Sequence, residues 1–442
     1  MDILTIDFET FYSTEYSLRR MTTEAYIRDP RFEVIGVGAK LNNGLTKWYC
    51  ASIEGFLNTI DFSNTAVLAH NTAFDGAILS WVYGVKPKLW LDTLSMARPF
   101  HHSTVGGSLD ALTKHYQLGI KGTEVINAKN KRLVDFSPEE LADYSCYCIK
   151  DVELTYKLFN KLKVKVPPSE LMVIDQTLRM YTNPTIGLDA DMLNAHLVKV
   201  KDDKRKLIDA LALKGLSEDQ VKKVLMSNQI FAKLLTNLGV EPPMKTSLRT
   251  GKETYAFAKT DKEFTALAEH PNPNIRSLIN ARLGTKSTIE ETRTENLIKV
   301  SERGNLPIML NYYGAHTGRF SGGDKLNLQN LPRNGIIRKS LTAPKGSVLI
   351  ACDSSQIEAR VVAYIAGQQD LVSAFREGRD VYSEFATEVY GRPISKADKI
   401  ERFVGKTCIL GLGYGMGAKK FKDTLALGQG GITVDIDDNE AE

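Results

Sequence analysis

The chain has 442 residues, of which 43% are hydrophobic and 25% charged, and its formal net charge is +4. That length is too great for one ordinary domain and sufficient for two or three, each with its own core. The composition is that of a soluble globular protein, no stretch approaches the roughly 18–20 uninterrupted apolar residues of a membrane span, and the net charge is too small to argue a nucleic-acid partner by itself.

The opening "MDILTIDFET" lacks the basic flank, apolar core and cleavage site of a signal peptide, so a cytoplasmic location is expected. Five cysteines (Cys50, Cys146, Cys148, Cys352, Cys408) without CxxC spacing fit reduced thiols better than disulfides or a zinc site. Cys146 and Cys148 are expected to be two semi-buried thiols. Residues 161–310 carry 24 Lys+Arg against 18 Asp+Glu, and the remainder 33 against 35. A basic middle between acidic flanks suits a polyanion held by one part and metal-binding carboxylates in the others. A solvated helical face explains those lysines equally well.

In chain order, "DILTIDFET" alternates with period two, "FEVIGVGAKL" and "AVLAH" read as strands, and "GSLDALTKHYQL" reads as a helix. "SPEELADYSCYCIKDVELTYKLFNKL" opens with a Ser137/Glu140 capping box and continues as a long helix. Pro167-Pro168 marks an expected domain boundary. From about 169 to 300 the signals are mainly helical, interrupted by "GVEPPMKTSLRTGKE" and "HPNPN". After 310 come a turn-rich stretch, the strand "GSVLIACD" and further helices.

Asp7 and Glu9, two apart on a strand, point to one face. Two acids there repel each other unless a cation lies between them. Asp75 in "AHNTAFD" follows a strand and, alone, reads as a helix cap. Tyr147 and Asp151 in "YCIKD" are four apart on the long helix and share a face. Together Asp7, Glu9, Asp75 and Asp151 could hold two divalent metals about 3.5–4 Å apart, with Tyr147 orienting the attacking water. His101-His102 are expected in a solvated loop.

"DFE", "HNTAFD" and "YCIKD" resemble the three motifs of the tyrosine-containing DEDD 3′–5′ exonucleases, which implies a ribonuclease-H-like fold. "GAHTGRFSGGDKLNLQNLPR", "ACDSSQIEARVVAY" and "ERFVGKTCILGLGYG" resemble the motifs of family A DNA polymerases. The expected class is thus α/β and α+β multidomain. An exonuclease domain (1–165) would precede a helical thumb with connecting helices (166–310) and a partial palm and fingers of a right-hand polymerase (311–442).

The second resemblance implies roles. Asp353, at a buried strand tip, would bind both magnesium ions together with the Ser354 carbonyl, since a buried lone carboxylate is costly without a cation. Glu358 would be the steric gate against a ribose 2′-hydroxyl, on a helix that buries Ile357, Val361, Tyr364 and Ile365. Arg402 and Lys406 would neutralise a triphosphate. Leu410 would pack on the incoming base, Tyr414 lie near the templating base, and Tyr382 and Gln356 border the nucleotide. Arg319, Gln329 and Asn330 would touch the primer–template minor groove, whose shared acceptors report shape rather than sequence.

The implied cofactor is Mg2+, two per site, or Mn2+; the implied partners are primer–template DNA, a single-stranded 3′ end and dNTPs. The family's second palm carboxylate, on a later His-Asp-Glu-like hairpin, has no counterpart after Asp353. The acidic tail "VDIDDNEAE" resembles the start of a fingers helix. The expectation is a phage-type proofreading polymerase, in the host cytoplasm if phage-encoded, whose polymerase site is incomplete in this chain. The alternatives are a free-standing 3′–5′ exonuclease, or one subunit of a split polymerase completed by a second chain.

Overall fold

β1 (Asp2–Thr10) is the centre of the first sheet. Its even residues Leu4, Ile6 and Phe8 are buried on one face, while Thr5, Asp7 and Glu9 lie on the other. In the computed structural model it pairs antiparallel with β2 (Val34–Leu41) and parallel with β4 (Thr65–Ala69). β3 (Lys47–Tyr49) and β5 (Leu89–Asp92) close the order β3-β2-β1-β4-β5. Three antiparallel strands followed by two parallel ones match the expected ribonuclease-H-like arrangement. The structure describes residues 1–122, 128–211, 217–247, 250–259, 261–286, 288–332, 334–428 and 431–442.

The long helix Pro138–Leu162 begins at the Ser137/Glu140 capping box, as the sequence indicates. It packs across β1 and β2. Gly38, opposite Asp7 in the ladder, permits that approach, because a Cβ there would meet Cys148 Sγ at 2.8 Å.

Pro167-Pro168 opens a helix and does not end the first core. Helix Pro168–Thr182 adds Ile174, Leu178 and Tyr181 to the sheet's core. Its Asp175 accepts the Trp90 amide at 2.7 Å. The core therefore extends past residue 165, because this helix is amphipathic from its first turn and docks at once.

Helices then dominate to Arg303, as expected. The interruption at 239–253 holds most of a short hairpin, Met244–Thr246 with Glu253–Tyr255, and Leu248 and Arg249 lie outside the described residues. A separate apolar core gathers Phe231, Phe257 and Phe264 around the fully buried Arg282, whose guanidinium lies 4.3 Å from the Phe231 ring centroid. Burial lowers the Arg282 pKa to about 10.

The chain divides into two compact units, residues 1–349 and 350–442. In the second, helices Ile357–Ile365, Gln369–Arg376, Val381–Tyr390 and Lys399–Leu412 share a small core built on Ala359, Ala363, Phe375 and Tyr382.

Two expectations fail here. "GSVLIACD" forms no strand, and Val348 and Ile350 are 79% and 87% exposed. A strand needs a ladder partner, and none of the described residues provides one. In the next helix the alanines are buried, whereas Ile357, Val361, Tyr364 and Ile365 are exposed. The neighbouring helices pack close against the small alanine face, and the larger residues point away.

Candidate active sites

The first candidate site lies where β1, the start of helix Thr72–Trp81 and the middle of helix Pro138–Leu162 meet. Asp7 and Glu9 leave one face of β1, and their carboxylate atoms with Cys148 Sγ lie within 4.8 Å of one another. Among the described residues this is the one such group of three or more metal-ligating side chains. Asp75, buried in the first turn of its helix, accepts the Phe8 amide at 2.9 Å, which locks it against β1. Asp151 is buried one turn beyond Tyr147 and ion-paired with Lys121.

Sequence reading named Asp7, Glu9, Asp75, Tyr147 and Asp151, and the structure brings all five together. It missed three neighbours. Tyr144 donates its hydroxyl to Glu9 at 2.5 Å and stacks between Phe136 and Tyr147. Cys148 donates its thiol to the Asp7 carbonyl at 3.2 Å; it is fully buried, while Cys146 is exposed, so the pair is not two semi-buried thiols. Lys121 also lies 5.1 Å from the Tyr147 ring centroid. Tyr144 and Cys148 were findable, since positions 144, 147, 148 and 151 form one helical stripe. Lys121 comes from a loop and carries no such signal.

Electrostatics agree with the geometry. Burial, with the Asp151 charge next, pushes the Asp7 carboxyl up to about 7. Burial and the Asp7 charge raise Glu9 and Asp75 well above the carboxylate range. Clustered acids in low dielectric are held at a cost that a cation relieves. The donor set, mainly hard oxygens, fits a divalent ion such as Mg2+ or Mn2+.

His101 is not in a solvated loop: it ends helix Thr93–His101, is buried, and hydrogen-bonds the Tyr116 hydroxyl at 2.7 Å. His102 is exposed.

Arg319, Gln329 and Asn330 are exposed on the turn-rich segment 311–330. Asp324 in that segment takes the amides of Thr23 and Glu24 and the Tyr181 hydroxyl. Lys325 Nζ donates to the carbonyls of Leu18, Arg19 and Met21 at 3.2, 2.8 and 2.9 Å.

In the second unit, Asp353 and Ser354 are exposed, and Asp353 is not at a buried strand tip. Gln356, Tyr382 and Arg402 do come together: the Gln356 side chain is near enough to oppose the rise that burial imposes on the Tyr382 pKa, and Arg402 lies 5.4 Å from the Tyr382 ring centroid. Arg402 also grips Asp380 with two bonds of 2.7 and 3.1 Å. Lys406 is half-buried on the same helix. Glu358, Leu410 and Tyr414 line one cavity of about 530 Å³.

A model of DNA polymerase family A matches residues 193–434. Thermostable DNA polymerase I of Thermus aquaticus is 33% identical over 217 residues, which are 48% of this chain and 24% of the relative. DNA polymerase I of Pseudomonas aeruginosa is 26% identical over 382 residues, 82% of this chain and 38% of the relative. The chain thus spans about a quarter to two-fifths of the length of these relatives. Among solved structures, the POL domain of Pol1 from M. smegmatis, in complex with DNA primer-template and dNTP, gives a TM-score of 0.66 at 20% identity. That match covers 100% of this chain and 70% of the other, and at this identity it shows the fold alone.

Proposed function

The chain belongs to DNA polymerase family A, and on that premise we propose that it removes nucleotides from DNA 3′ ends at the carboxylate cluster, while its later residues serve template-directed nucleotide addition. The observation that carries the nuclease half is the convergence of Asp7, Glu9, Asp75 and Asp151 with Tyr147 in one buried cluster.

Those four carboxylates would hold the divalent ions. Bound there, such ions supply Lewis acidity and charge neutralisation for phosphodiester hydrolysis. Tyr147 keeps its proton at neutral pH, because burial and the neighbouring acids raise its pKa. It is therefore a hydrogen-bond donor able to orient a water. A cavity of about 630 Å³ beside Glu9 includes Tyr12, Phe74, Arg19, Arg20 and Lys129. Aromatic faces with cations suit an unpaired 3′ end, since bases stack and phosphates are neutralised.

For nucleotide addition, Arg402 and Lys406 would meet the triphosphate, with Gln356 and Tyr382 beside them. Glu358, Leu410 and Tyr414 would border the sugar and bases, and Arg319, Gln329 and Asn330 the primer–template. Asp353, with the Ser354 carbonyl, would hold magnesium. The DNA and dNTP bound to the M. smegmatis domain support these partners.

A second reading, in which the polymerase site is shared with a second polypeptide, is favoured by one observation. Asp353 follows an exposed apolar run, Val348 to Ile350, of the kind that a sheet partner covers.

The test is a 5′-labelled primer–template incubated with this chain and Mg2+, with and without dNTPs. Shortening without dNTPs supports the nuclease, and extension with dNTPs supports a working polymerase site. Shortening that persists unchanged in dNTPs supports the shared site. No change to the primer under any condition overturns the proposal.

A further inference from the structure

Four acids converge in the candidate nuclease site, and one cation reaches into it from a loop. Lys121 Nζ is ion-paired with Asp151 and lies over the Tyr147 ring. The Asp151 side chain is 5% exposed and that of Lys121 is 28% exposed, so the ammonium enters from the solvent side. Its charge also opposes the rise in proton affinity that burial imposes on Asp7 and Glu9.

We propose that Lys121 is a resident counter-cation of this cluster, which competes with the incoming divalent ion for Asp151 and thereby sets the metal concentration at which the site loads. The inference rests on reading the cluster as a metal site. An ammonium and a divalent ion cannot both lie against one carboxylate without strong repulsion in a poorly screened environment. Lysine suits such an exchange. Its charge is compact, its stem has four rotatable bonds, and its partial exposure leaves water into which the ammonium can withdraw. An arginine held by a bidentate fork would leave less readily. The arrangement stabilises the metal-free cluster and makes loading cooperative with anything that draws Lys121 away, a DNA phosphate included. Lys121 is thus a positioning residue, acting through Asp151.

The experiment measures Mn2+ binding to the full chain by the loss of the free-ion electron paramagnetic resonance signal. The Asp7→Ala/Glu9→Ala variant identifies the signal that belongs to the cluster. Lys121→Met should bind Mn2+ about tenfold more tightly, within the usual range of coupling between two sites, and should melt lower than wild type in EDTA. Lys121→Arg should bind Mn2+ more weakly than wild type, because its guanidinium leaves Asp151 less readily. A purely structural lysine would weaken metal binding when removed, so the sign of the change separates the roles. Unchanged or weaker Mn2+ binding by Lys121→Met, with wild-type binding intact, overturns the role of Lys121 and leaves the nuclease reading standing. Wild-type protein that binds no Mn2+ at the cluster overturns both. If Lys121→Met does not fold, Lys121→Gln carries the same prediction.

Discussion

The Tyr144 hydroxyl donates to the Glu9 carboxylate across 2.5 Å, tying the long helix to the end of β1. Glu9 is 8% exposed and crowded by Asp7, so this bond both satisfies a buried acid and aims it. Tyr144→Phe keeps the ring stacked on Phe136 but removes the donor. The expected cost in metal-free protein is about 1–3 kcal/mol, the penalty for an under-satisfied buried acceptor. For a chain of 442 residues each kcal/mol is about 1 °C in melting temperature. Calorimetry in EDTA checks it, and the loss should shrink when Mn2+ is added.

The turn-rich segment is fastened to residues 18–24 and to Tyr181 by Asp324 and Lys325, both with left-handed backbone (φ 52° and 59°). Asp324 caps the short helix Thr23–Ile27 from 300 residues away in sequence and holds Tyr181 at 3.0 Å. Asp324→Ala should cost about 1–2 kcal/mol through the lost cap and leave the Tyr181 hydroxyl without this acceptor. Limited proteolysis should then cut within 311–330 faster than in wild type. An unchanged cleavage rate would show that the latch does not hold this segment.

Asp380 gives a pH dependence in the second unit. Burial raises its pKa, but hydrogen bonds from Arg402 and Ser383 outweigh it, so the folded value lies below 3.8. A group depressed on folding stabilises the protein above its unfolded pKa and loses that contribution as pH falls through the folded value. Asp380→Asn should therefore cost about 1 kcal/mol near pH 6, a modest figure because the pair is partly exposed. The difference from wild type should shrink below pH 4. Thermal melts from pH 6 to 3 measure it.

Much of the first site was legible because its signals are local. The period of β1 placed Asp7 and Glu9 together, and the i, i+4 spacing placed Tyr147 with Asp151. Extending that helical stripe one turn back would have reached Tyr144. The fate of Asp353 was not legible, because an apolar run becomes a strand only with a ladder partner and the run itself does not specify one. The next helix shows the same limit: its pattern marked large apolar residues as core, yet the space beside it admitted only Ala359 and Ala363.

The most direct test of the central claim compares wild type with Asp7→Ala/Glu9→Ala on a 5′-labelled primer–template in Mg2+ without dNTPs. The account predicts steady 3′ shortening by wild type, at least a hundredfold less by the double variant (about 2.7 kcal/mol or more in barrier), and similar primer–template binding by both. Equal shortening by the two proteins, in preparations free of host nuclease, would contradict it.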